Sequence, residues 1–240
     1  MAFLPRFVKV KVKVKVKVEF FLNTNFTNIM KDIAIYGAGG FGREVACLIR
    51  NNLPEWNIIG YFDDGKEKGS PVSPFGEILG GIDELNKWDK ELAIVISIGN
   101  PKTVRALVDK ITNPKVNFPN VIHPNFQMLD ESTFSIGKGN IITADCRVSC
   151  DVSVGDFNVF NGAVIVGHDA KIGSFNSFMP AVRVSGEVKI GDCNFFGVSS
   201  IVLQQIKIGD EIKLSAGSVL MTKPRNGYLY MGNPAKKTEF

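Results

Sequence analysis

Apolar residues along the chain follow two different rhythms. Between Asp32 and Ile111 they come in short runs: Ile33–Tyr36, Asn57–Phe62 and Leu92–Ile98. Runs this short, ended by Gly37, Asp63-Asp64-Gly65 and Gly99-Asn100-Pro101, predict strands buried on both faces of a parallel sheet. Val45, Leu48 and Ile49 recur at helical spacing within Arg43–Asn52, and a further helix is expected from Lys102 to Ile111. Strands alternating with helices place ligands at the carboxyl ends of the strands.

From Ile136 the rhythm changes. Stepping by six residues to Leu220 meets an apolar residue at all 15 positions, without an insertion. At this composition chance agreement is of order one in 10⁵. Gly137, Gly155, Gly173, Gly191 and Gly209 add a period of 18. Eighteen residues in three equal sides make a triangular coil with one apolar residue pointing inward on each side. Asn140, Asn158, Asn176 and Asn194 precede inward residues by two positions, where the chain has to bend. Coils stacked as parallel strands lie about 4.8 Å apart, so five make a prism roughly 24 Å long. Such a solenoid is a scaffold, and its repetition alone says nothing of catalysis.

Residues 1–29 fit neither rhythm. Val8 to Val18 alternate with lysine, a strand period with one charged face, but no signal-peptide core follows. They read as a disordered or adventitious extension, with Met30 as the natural start. The expected organisation is therefore an extension (1–29), a small parallel-sheet domain (30–118), a prism of stacked coils (119–223) and a C-terminal tail (224–240).

Composition changes this picture little. Apolar content of 45% and charged content of 22% are ordinary for a globular protein. The net charge of +4 is concentrated in the extension, which holds six bases and one acid; the rest carries 22 basic against 23 acidic residues. No basic face remains to argue for nucleic acid. No apolar run approaches the roughly 20 residues that span a bilayer. The cysteines, Cys47, Cys146, Cys150 and Cys193, form no CxxC pair and read as reduced thiols of a cytoplasmic protein.

Two places carry candidate chemistry. Gly37, Gly39 and Gly42 match GxGxxG at the start of a helix, with Asp63 about 20 residues on. This would suit NAD, but the domain is too short for a full dinucleotide fold and reads as a nucleotide pocket without redox chemistry. The other place is His168, two residues after inward Val166, where its imidazole can point outward at a corner as a general base. His123, before the first coil, reads as structural. With two histidines the chain lacks the three ligands of a His-rich zinc site, so no metal is expected.

The hexapeptide pattern resembles the left-handed parallel β-helix of bacterial acyltransferases. Residues 31–237 are similar to one branch, the nucleotide-sugar N-acetyltransferases and sialic-acid O-acetyltransferases. The resemblance rests on Gly37-Ala38-Gly39-Gly40-Phe41-Gly42-Arg43-Glu44, Asp63-Asp64, Gly99-Asn100-Pro101, Asn161-Gly162-Ala163-Val164-Ile165-Val166-Gly167-His168-Asp169 and Gly232-Asn233-Pro234-Ala235.

It implies a fold, α/β plus all-β, in which a small Rossmann-like domain precedes a left-handed parallel β-helix. It also implies a homotrimer, with acetyl-CoA between neighbouring helices. His168 takes the place of the catalytic base, Asp169 that of an acid orienting the imidazole, and Asn161 that of an asparagine near the acceptor. Neighbours in extended chain point to opposite sides, so Asp169 needs a bend to do this. Gly186, 18 residues after His168, matches a backbone oxyanion donor. Gly39, Gly40 and Phe41 would line the nucleotide pocket beside Asn100, with Asp63 or Asp64 accepting from base or ribose. Gly232 and Pro234 are expected at the cofactor, and Lys236 and Lys237 after them are placed either to meet CoA phosphates or to form a solvated basic tail. One position departs: Ser177 stands where relatives have a second histidine, and can hydrogen-bond the acceptor or CoA but not act as a base.

The expected activity is transfer of acetyl from acetyl-CoA to the amino group of a nucleotide-linked amino-dideoxy sugar. A sugar or sialic-acid O-acetyltransferase, a non-catalytic sugar-nucleotide-binding scaffold and an NAD-linked enzyme are the competing readings.

Overall fold

The computed structural model describes residues 30–238. The lysine–valine alternation at Val8–Val18 lies outside them.

The first domain is a five-stranded parallel sheet in the order β3-β2-β1-β4-β5. Its strands are β1 (Lys31–Tyr36), β2 (Trp56–Phe62), β3 (Ile78–Gly80), β4 (Leu92–Ile96) and β5 (Val116–Asn117). Every residue of β4 is buried, as its unbroken apolar run requires. Helix α1 (Gly40–Asn52) buries Val45, Ala46, Leu48 and Ile49 on one face, and α3 (Pro101–Lys110) buries Val104 and Leu107. A short α2 (Ile82–Asn86) joins β3 to β4. The chain leaves β1 toward β2 and returns to its other side as β4, so the switch point lies between β1 and β4. The helices that follow those two strands start at that crevice.

The second domain is the predicted prism, a left-handed parallel β-helix whose two-residue strands stack into three faces. Face 1 runs from Val121–Ile122 up to Lys213–Leu214, face 2 from Gln127–Met128 to Val219–Leu220, and face 3 from Ser135–Ile136 to Lys207–Ile208. Fourteen of the fifteen ladder residues are at most 5% exposed; Ile136, in the first coil, is partly buried. Phe160, Phe178 and Phe196 stack with centroids 4.8 and 4.7 Å apart, the coil spacing itself.

The corners are built by backbone rather than by the asparagines. Every sixth residue from Gly139 to Gly217 sits in the left-handed region, twelve of them not glycine, with φ between 53° and 65°. Asn140, Asn158, Asn176 and Asn194 follow these bends and turn inward, fully buried. Each side-chain oxygen accepts from the next amide in the column, ending at the Ile212 N–H. This satisfies backbone donors inside the prism that no water could reach.

The C-terminal segment is no loose tail. Leu229–Gly232 extends face 1 in parallel, and Ala235–Thr238 folds back on it in antiparallel register.

The first domain rests on face 1 and its corner with face 3. Val121, Ile141 and Val159 join the cluster of Ile33, Val45 and Tyr61, while Phe157 and Phe175 join that of Phe62 and Val104. Farther up, Lys102 pairs with Glu211 at 2.7 Å.

Candidate active site

At the carboxyl end of the sheet the glycines divide into two kinds. Gly37 (φ +105°) turns the chain out of β1, and a Cβ on Gly42 would lie 2.0 Å from the Gly37 carbonyl oxygen, so α1 can approach only without a side chain there. Gly39, Gly40 and Gly99 face open space, with nothing within 4 Å of an added Cβ. The N-cap of α1 is Gly39, without a side-chain cap, and its first turn holds no acid. Its amides are thus left for an outside acceptor, an arrangement suited to phosphate.

Asp63 and Asp64 stand beside this turn, but their oxygens already serve the chain. Asp63 accepts from the Ala38 and Gly65 amides at 2.8 and 2.9 Å, and Asp64 from the Tyr36 hydroxyl and the Ile82 amide at 2.7 and 2.8 Å. They hold the turn in shape, with acceptor capacity left over for a ligand. Burial and the Asp64 carboxylate push the Tyr36 phenol well above its ordinary pKa. Asn100, the expected contact of the next loop, caps α3 by accepting from the Lys102 and Thr103 amides. Phe41 is partly buried against the core under β1.

His168 lies at the corner between faces 2 and 3, after strand Ile165–Val166. Its side chain is 49% exposed in a coil whose inward residues are sealed. The bend that Asp169 needs is present: its φ is 58°, and Nδ1 of His168 lies 2.7 Å from Oδ2 of Asp169. Backbone bonds pin the pair from below and above, Asp169 N–H to the Cys150 carbonyl and Glu187 N–H to the His168 carbonyl. A carboxylate at Nδ1 fixes the proton there and leaves Nε2 as the free acceptor.

Gly186 is stacked directly over the ring. A Cβ on it would lie 2.5 Å from Nε2 and 2.7 Å from Cε1. Its amide donates to no described residue. A Cβ on Gly167 would come within 2.5 Å of that nitrogen, so the absence of a side chain at residue 167 keeps the ground before the donor open. Gly167 was not singled out in the sequence; a glycine directly before the histidine was the available signal. Glu187, next in the column above Asp169, is held by the Gln204 and Gln205 amides, which keep its carboxyl below the usual range.

The remaining candidates do not meet His168 within one chain. Ser177 starts a strand of face 1, across the prism, and is 2% exposed. Asn161 sits at the corner between faces 1 and 2, its amide bonded to the Phe178 carbonyl. Gly232, Pro234 and Lys236 form the C-terminal hairpin at the top of face 1; the Gly232 amide donates to Ser218, and Lys237 lies over the Tyr228 ring. Among the described residues no three His, Cys, Asp or Glu gather as a metal-binding group, no helix is long and apolar enough to cross a membrane, and all four cysteines are free.

The fold is that of solved acetyltransferases, a left-handed β-helix carrying a Rossmann-like domain. Residues 32–111 match the model of the PglD N-terminal domain. The acetyltransferase domain of PglB from Neisseria gonorrhoeae superposes with TM-score 0.79 at 27% identity, over 87% of this chain and all of that one; it has also been solved with acetyl-coenzyme A. WeeI from Acinetobacter baumannii matches equally, with TM-score 0.79, 27% identity and the same coverage. PerB from Caulobacter crescentus, solved with CoA and GDP-perosamine, shares the fold at 23% identity, with TM-score 0.76 over 87% of this chain and 97% of that one. No curated protein matches the chain. In sequence and fold the chain thus resembles the bacterial hexapeptide-repeat sugar acetyltransferases.

Proposed function

We propose that the protein transfers acetyl from acetyl-CoA to the amino group of a nucleotide-linked amino-dideoxy sugar, for surface glycan synthesis. The observation that carries this reading is the corner itself: an imidazole oriented by Asp169, with Nε2 free beside the unpaired Gly186 amide.

The chemistry follows from that placement. The acceptor nitrogen attacks the thioester carbonyl, and the developing oxyanion takes the Gly186 N–H, a type of donor worth about 3 kcal/mol in the barrier. Nε2 removes the proton from the attacking nitrogen at the tetrahedral stage, while Asp169 stabilises the imidazolium. Collapse expels the CoA thiolate, which takes the proton back from Nε2. Ser177 stands where a second imidazole would be, so one histidine does all the proton work.

The acceptor's nucleotide belongs at the Gly39–Gly40 turn, where open glycines and uncapped amides fit a diphosphate, with Asp63 and Asp64 shaping the rim. That turn sits over face 1, whereas His168 is at the opposite corner of the prism. One copy therefore holds the acceptor for the histidine of another. Face 2 supports a homotrimer: it presents Ile165, Ile201 and Val219 in one column with Arg147 and Arg183, flanked by exposed Leu129, Val198, Leu203 and Met221. The free cysteines suit a cytoplasmic enzyme.

The test is a free-thiol release assay with acetyl-CoA across UDP-, GDP- and dTDP-linked amino sugars and sialic acid. Wild type is expected to acetylate one of the nucleotide sugars, and His168→Ala to lose 10²- to 10⁴-fold in kcat/KM. A loss below tenfold contradicts the mechanism; turnover of sialic acid alone moves the acceptor to a hydroxyl.

A further inference from the structure

Face 3 carries a feature that the acetyl-transfer chemistry above does not use. Its outward positions are Ser135, Ser153, Lys171, Lys189 and Lys207, and the three lysines are direct neighbours in the parallel register. Like charges directly opposite on neighbouring strands are destabilising. No ion pair relieves them: among the described residues none of the three has a carboxylate within salt-bridge distance. The lysines line an open groove of about 740 Å³ that also takes in Asp169, the partner of His168.

The acids of this groove do not cancel the lysines evenly. Asp169 lies against His168, Asp151 stands below the histidine, and Glu187, above it, keeps its negative charge while accepting from the neutral Gln204 and Gln205 amides. Above the histidine's coil Lys189 and Lys207 outnumber Glu187, the one carboxylate lining the groove there. Clustered ammonium groups with free donors are a seat for phosphate.

We propose that Lys189 and Lys207, with Lys171 below them, bind the diphosphate of the acceptor and so set its amino group at His168. This rests on the acetyl-transfer reading. Position separates the two phosphate-bearing substrates. Lys189 and Lys207 stand one and two coils above the histidine's own coil, about 5 and 10 Å along the prism. One sugar ring between the reacting nitrogen and the diphosphate matches that span. The pantetheine arm of CoA carries its diphosphate well past it. With face 2 turned toward the threefold axis, face 3 of one copy borders face 1 of the next. The open glycine turn of that second copy then closes on the same diphosphate from the other side.

The test titrates wild type and the Lys189→Gln/Lys207→Gln double variant with UDP, GDP, dTDP and CoA by calorimetry, followed by steady-state kinetics. The double variant is expected to weaken the best-bound nucleoside diphosphate tenfold or more and to raise the acceptor KM by a similar factor. The KM for acetyl-CoA and kcat at saturating acceptor should stay within twofold, and Lys189→Arg/Lys207→Arg should recover most of the loss. Added salt should shrink the difference. Weakened CoA with intact diphosphate binding overturns the proposal and gives the lysines to the cosubstrate; no change in either reduces them to a solvated ladder. If wild type acetylates no amino sugar, the underlying reading falls as well, whereas wild-type turnover with unchanged variants sinks the lysine seat alone. Melting curves keep the comparison on folded protein, since removing stacked like charges should not lower the midpoint.

Discussion

At Asp169 the backbone passes through the left-handed region, which costs a non-glycine residue roughly 1–2 kcal/mol. The same bend forms every corner of the prism; at this one, two side chains adjacent in sequence turn to the same side and meet at 2.7 Å. The glycine over the ring is as specific a requirement. Gly186→Ala puts a methyl 2.5 Å from Nε2, so the imidazole has to swing away from Asp169. This variant is expected to keep its fold and to lose at least tenfold in kcat, roughly the penalty of misplacing a reacting group by an ångström; unchanged kcat would refute the stacking.

A second residue-scale outcome concerns Tyr61, whose buried hydroxyl has no hydrogen-bond partner among the described residues and whose pKa burial pushes up to about 12. An unfolded tyrosine ionises near pH 10, so between about pH 10 and 12 the folded state binds the extra proton and loses stability as pH rises. Tyr61→Phe should therefore melt no lower than wild type at pH 7 and resist alkaline unfolding better, as followed by circular dichroism.

At the scale of elements, the prism is held by columns rather than by layers. Phe160, Phe178 and Phe196 form one and the buried asparagines another, each linking every coil to the next. Truncating the middle of the aromatic column, Phe178→Ala, is expected to cost about 3–5 kcal/mol and shift the thermal midpoint accordingly; a shift of under about 1 kcal/mol would mean the column is not structural.

These columns were legible in the sequence because a six-residue period with one buried residue per side fits a three-sided coil, which stacks equivalent residues 18 apart. The asparagines were legible as corner markers but not as a ladder, since periodicity does not say which way a side chain turns at a bend. The short strands Ile78–Gly80 and Val116–Asn117 escaped because two or three residues carry no period. The C-terminal strands escaped because Leu229–Gly232 continues face 1 out of step with the repeat. At the site, His168 and Gly186 could be paired from their spacing of 18. The internal duties of Asp63, Asp64 and Asn100 depend on which backbone amides lie beside them, and sequence does not encode that directly.

At the scale of the whole molecule, the proposed site is divided. The first domain covers face 1, the base stands at the far corner, and face 2 between them carries apolar side chains with exposed Val198, Leu203 and Met221 at its margins. In the proposed homotrimer, a closed ring of three copies sets each His168 against the glycine turn of a neighbour. The direct measurement is complementation between two inactive variants. His168→Ala lacks the base. Gly40→Asp, where nothing lies within 4 Å to clash, puts a negative charge on the diphosphate seat. Each alone should be nearly inert. Co-expressed at equal levels, random mixing in cyclic trimers gives about a quarter of sites both an intact turn and an intact histidine, so acetyl transfer should recover to about a quarter of wild type. Mixed trimers that form and stay inert would place both halves of the site in one chain and contradict the division.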